Sequence, residues 1–183
     1  YDIMPSLVGS EMCIRDRSMM GTYCMIDREK VDGILDGELE ASEVIFFGDD
    51  EDYDGEGNML SIEKAWNAID YVLTKGVDDS QALARVVFGR EVSDEEIGYA
   101  PATYITEDEV KEIAEAISGI DKEDLRARFD IKGMKDEDVY LVSDVSEDGE
   151  EAVFEYVWEN FRDLKKFYKK AAALNKCLLF FVE

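Results

Sequence analysis

The stretch from residue 150 to residue 182, EEAVFEYVWENFRDLKKFYKKAAALNKCLLFFV, decides the fold. Val153, Val157, Phe161, Leu164, Tyr168 and Ala171 recur at three- and four-residue steps, which predicts one helix over 150–175 with a single apolar stripe. Phe154 and Trp158 widen that stripe, so the helix is buried on two sides or offers a partner surface. Cys177-Leu178-Leu179-Phe180-Phe181-Val182 lacks polar alternation, as a strand covered on both faces does. A long helix feeding straight into such a strand predicts an α/β domain with that strand inside the sheet.

Upstream, Met20 to Ile26 reads as a first strand, and Asp27 as the cap of a helix through Asp36 with Val31, Ile34 and Leu35 on one face. Val44-Ile45-Phe46-Phe47 reads as a brief strand before an acidic loop from Gly48 to Asn58. Ser61 is placed to cap a helix over 62–74 whose apolar residues include Ile62, Ala65, Trp66, Ile69 and Leu73. A short apolar helix follows over 81–88, then an extended segment over 99–105 that carries Pro101. Thr106 and Glu109 form a capping box for a helix over 107–118, and Asp121 caps another over 122–129. Val139 to Val142 reads as a strand. Without repeats or proline- and serine-rich linkers, one domain is the economical organisation.

Residues 1–18 stand apart. They have no amphipathic period, and their apolar run is too short and interrupted for a secretion signal. Back-translation of Leu7 through Asp16 gives a string that resembles a transposase-type library adapter read as coding sequence. They are set aside as non-native, with Met19 or Met20 as the expected start and 19–183 as the domain.

The chain has 45 acidic and 20 basic residues, a net charge of −25. Setting aside Asp2, Glu11, Asp16, Arg15 and Arg17 leaves 42 and 18, a net charge of −24. Such a field repels nucleic acid and anionic membrane; it either attracts cations or basic protein surfaces or serves only to keep the chain in solution. Cys24 and Cys177 lie in apolar stretches, as buried reduced thiols of a cytoplasmic protein do. The chain has no histidine, so Ser-His-Asp and Cys-His sites are excluded, and it has no glycine-rich phosphate loop.

Two groups of residues are candidate sites. Asp50, Asp52 and Asp54, followed by Gly55 and Asn58, match the first part of a calcium loop. Ser61 stands where the loop's closing bidentate carboxylate belongs, so the choice is between weak calcium binding and a solvated acidic loop. No other cofactor is indicated. Lys64 sits in the first turn of a helix, where a cation is disfavoured, and is placed to reach either an acidic neighbour or a ligand anion at the helix N-terminus. Trp66 falls in the apolar stripe, which favours the core over a ligand platform, while Tyr99 and Tyr104 flank Pro101 as pocket-lining or packing side chains.

Several segments taken together resemble the YfbM-like family of small bacterial proteins, a domain family of unknown function, over Met20 to Glu183. They are Ile62-Glu63-Lys64-Ala65-Trp66, Val87-Phe88-Gly89, Tyr99 through Thr106, Phe129-Asp130, Val139-Tyr140 and Phe167 through Ala172. Ala100 replaces a glycine, Leu141 replaces a proline, and a histidine after the tryptophan helix start is absent. The resemblance implies a mixed-sheet α/β sandwich, with about four to five short strands and five to six helices, and no established activity.

The expected function is a non-enzymatic binding domain that masks a basic protein, as an immunity protein does. The alternatives are a calcium- or small-ligand-binding protein and a carboxylate-dependent enzyme.

Overall fold

A computed structural model of the chain describes residues 19–46, 58–143 and 145–183. Its centre is β5 (Cys177–Val182), which is buried at every position. All six residues pair with β1 (Gly21–Ile26), from Gly21 opposite Val182 to Ile26 opposite Cys177. On its other side β5 pairs with β4 (Ala100–Ile105). A short β2 (Met59–Ser61) and a long β3 (Arg90–Ile97) form the edges, in the order β2-β1-β5-β4-β3.

All pairings between these strands are antiparallel, which corrects the mixed sheet that the resemblance implied. An apolar run shows that a strand is covered on both faces, but its direction is set by its connections. β3 and β4 are joined by the two residues Gly98 and Tyr99, a hairpin that permits only the antiparallel arrangement. Among the described residues the one parallel contact is an isolated bridge between Gly98 and Val182.

Alternation along β1 and β5 divides the core between the two faces. Cys24, Ile26, Cys177, Leu179 and Phe181 face a thin layer of α1 (Arg28–Leu35) and α2 (Ala41–Phe46). Tyr23, Met25, Leu178, Phe180 and Val182 face a thicker helical layer. There α3 (Trp66–Thr74) is buried from Trp66 to Leu73. It is enclosed by α4 (Glu107–Ser118), α5 (Lys122–Arg128), α6 (Ile131–Asp136) and α7 (Glu150–Ala173). The described residues thus form seven α-helices, against five to six expected.

Local chemistry explains where the elements differ from expectation. Val44 to Phe46 belongs to α2, because Ala41 and Ile45 are buried one helical turn apart. Val139 to Val142 is a turn: Asp138 and Leu141 have φ of 52° and 90°, which no strand accepts. The helix expected over 62–74 opens with a 3-10 turn, Glu63–Ala65, before α3 begins. The segment over 81–88 contains only a 3-10 turn, Ala82–Arg85. The capping boxes at Thr106 and Asp121 are both present.

Candidate functional site

Lys64, Trp66, Tyr99 and Tyr104, the described side chains singled out as ligand candidates, do not converge on one pocket. Trp66 is fully buried, donates from Nε1 to the Met19 carbonyl at 3.0 Å, and lies between Tyr140 and Phe88 with ring centroids at 6.0 and 5.9 Å. Tyr99 packs at the margin of the same core, whereas Tyr104 packs on the opposite face of the sheet beneath Arg90, 5.0 Å from its ring centroid. Around Lys64 the backbone donors are already engaged. Ile62 N donates to the Gly21 carbonyl, Glu63 N to Ser61 Oγ, Lys64 N to Tyr156 Oη and Ala65 N to the Ile62 carbonyl. A free anion would have to displace these bonds.

Asp50, Asp52 and Asp54 lie outside the described residues. The Asn58 carbonyl accepts a bond from Met25 N. Among the described residues, no group of three or more Cys, Asp or Glu side chains is arranged to hold a metal ion.

The thiols are not poised as nucleophiles. Burial pushes Cys24 up to about 11. Burial, and then the neighbouring Glu107 carboxylate, push Cys177 up to about 12; its Sγ donates to Glu107 Oε2 at 3.1 Å. Tyr23 and Tyr168 both donate to the Val86 carbonyl deep in the core. Tyr23 is held far above its ordinary value by burial, then by Tyr168 and the buried Asp70. Asp70 and Asn67 went unnoticed in the sequence because a polar residue on an amphipathic helix is assigned to its wet side. α3 has no wet side, and Asn67 Oδ1 accepts the Tyr140 N–H at 2.7 Å.

What the thin layer presents to solvent is different. Among the described residues the exposed large hydrophobics are Leu35, Leu39, Phe46 and Leu174, so three of the four fall between residues 35 and 46. Leu35, expected on the buried face of its helix, is 44% exposed. After α1 the chain reverses at Gly37, with φ 76°, and Glu38 N and Leu39 N both donate to the Gly33 carbonyl. This turn lays Leu39 over Gly33, where a β-carbon would come within 2.8 Å of Leu39 Cδ1. Phe46 is half exposed while its ring meets Phe181 edge-on at 6.0 Å.

Carboxylates surround these apolar positions. Residues 27–46 contain Asp27, Glu29, Asp32, Asp36, Glu38, Glu40 and Glu43 against only Arg28 and Lys30. Arg28 is occupied by Asp32 at 3.0 Å and Glu107 at 3.2 Å. Asp36, Glu38, Glu40 and Glu43 are exposed and, among the described residues, form no ion pair. The edge strand β3 packs beside these helices and adds Glu91, Asp94, Glu95 and Glu96; Glu95 Oε2 accepts the Ser42 N–H at 3.3 Å.

The family model described as Domain of unknown function (DUF1877) matches residues 18–181. No curated protein matches. Among solved structures, the fold is similar to the crystal structure of a protein of unknown function, YfbM from Escherichia coli. The two share 21% sequence identity over 90% of this chain and 100% of that one, with a TM-score of 0.67.

Proposed function

The chain belongs to the family described as Domain of unknown function (DUF1877), and from that premise we propose that it is a non-enzymatic binding domain for a basic protein partner. The observation that carries this reading is the placing of exposed Leu35, Leu39 and Phe46 among Asp36, Glu38, Glu40 and Glu43, which form no ion pair among the described residues. Apolar anchors inside a charged rim are what a protein interface needs: the anchors supply affinity on desolvation and the rim steers the encounter. The protonated thiols and the absence of histidine support binding over covalent catalysis. Masking of a basic surface, as an immunity protein achieves, follows from the same charge.

The test is affinity capture from a bacterial lysate with the native chain and with E38K/E40K/E43K, each at low and high salt. The expected partner is basic, is retained by the native chain at low salt, and is lost at high salt and with the variant. Equal capture by both proteins would remove this face from the interaction. A second variant, Leu39→Asp, is expected to weaken retention at least about tenfold by removing an anchor while leaving the charge steering in place.

A further inference from the structure

On the other side of the sheet, α4 and α7 flank an open groove of about 510 Å³ lined by Ala114, Glu115 and Ser118 of α4 and by residues of α7. The space has a simple origin. Ala114 and Ser118 lie one turn apart on α4, Ala172 faces them from α7, and none of the three is large enough to fill the interhelical gap. The remaining wall is Arg162, Lys165, Lys166 and Lys169, at i, i+3, i+4 and i+7, and so on one face of α7 beside its buried stripe.

Four cations around one groove are unexpected in a chain of net charge −25. They are also poorly neutralised. Elsewhere lysines hold carboxylates closely: Lys75–Asp130 is 2.7 Å, Lys122–Glu155 is 2.5 Å and Lys176–Asp27 is 2.6 Å. Around the groove, among the described residues, Arg162 and Lys166 reach only Asp163, at 3.8 and 4.0 Å, and Lys169 forms no ion pair. Lys165 donates to the Ile120 carbonyl at 2.7 Å, which fixes one member of the row. Glu115 is the single carboxylate in the lining. The floor is aliphatic, made of Ala114, Ala172 and the methylene stems of the long cations, and the volume lies within the roughly 300–1,000 Å³ of small-molecule sites.

We propose that this groove binds a small amphiphilic anion, an apolar alkyl or aryl body ending in a carboxylate, sulfonate or phosphate. The anionic head meets Arg162, Lys166 and Lys169, and the body covers the alanines between the helices. The acidic molecule repels anions at long range, so recognition is confined to contact distance, where charge-assisted hydrogen bonds act within a screening length of about 10 Å at 0.1 M salt. The groove and the α1–α2 face lie on opposite sides of the sheet, so neither reading depends on the other.

The experiment is calorimetric titration of the full chain with dodecanoate below its micelle concentration, with dodecanol as the neutral analogue. K166Q/K169Q removes two exposed cations without touching the core, and Ala114→Leu fills the floor; circular dichroism checks that both remain folded. Saturable dodecanoate binding is expected, weakened about tenfold or more in K166Q/K169Q, weakened also by Ala114→Leu, and about tenfold or more weaker for dodecanol. No binding to the native chain, equal affinity for dodecanol, or equal affinity of K166Q/K169Q for dodecanoate would overturn the proposal. Light scattering supplies the other decisive outcome: a dimer that K166Q/K169Q dissociates would assign the groove to an acidic segment of a second copy and overturn it as well.

Discussion

Cys177 and Cys24 face the same side of the sheet, one in the central strand and one in its neighbour, and both keep their protons well beyond the ordinary thiol range. A thiol raised from 9.0 to about 11 or about 12 ionises first in the unfolded chain. The stability it contributes is therefore complete below about pH 9 and is lost as pH rises through the folded-state values. Each thiol adds up to about 1.4 kcal/mol of lost stability per pH unit within that window. The urea midpoint is expected to fall between pH 9 and 11, and C24A/C177A should reduce that slope whatever its effect at neutral pH. Tyr23 and Tyr168, also raised by burial, keep the slope from vanishing. An unchanged slope in the double variant would remove the thiols from the alkaline transition.

The hairpin between β3 and β4 shows what an element can demand of one position. Gly98 has φ 70°, and a β-carbon there would stand 2.2 Å from the Val182 carbonyl oxygen, where the turn bridges to β5. Gly98→Ala adds left-handed strain of about 1–2 kcal/mol to a clash that breaks the bridge, so a loss of at least about 2 kcal/mol is expected. A lower urea midpoint at unchanged m-value would show it, and a midpoint within error of the native one would mean the turn relaxes freely. α4, α7 and β5 were legible because periodicity, a capping box and an unbroken apolar run act locally. β3 was not: along Arg90–Ile97 only Val92 and Ile97 are buried, and its register shifts between Glu91 and Glu96. An edge strand so charged reads as a loop, although its charges guard an open edge against association. The carboxylates of residues 27–46 stand in the sequence but were not read as a surface, because the exposure of Leu35 that makes them one depends on how α1 rolls against the sheet. The groove needed α4 and α7 side by side, which no single window of sequence contains.

At the scale of the whole molecule, electrostatics oppose folding. With 45 acidic against 20 basic residues, pairing every cation with its own carboxylate would still leave 25 carboxylates over. The ion pairs among the described residues are mostly between partly exposed groups, and such pairs contribute about 0–1 kcal/mol each. Repulsion among the surplus carboxylates therefore outweighs them, and screening relieves more than it removes. Raising sodium chloride from about 0.01 to about 1 M shortens the screening length from about 30 to about 3 Å, and the melting temperature is expected to rise by several degrees. A fall would mean that particular ion pairs, not the net charge, govern stability. Exchanging sodium for calcium at fixed ionic strength separates general screening from binding, because only an ion held by the folded state adds a further rise that grows with its concentration. If such a rise is seen and disappears in D50N/D52N/D54N, those aspartates bind the ion; if it persists in that variant, the calcium sits elsewhere on the acidic surface.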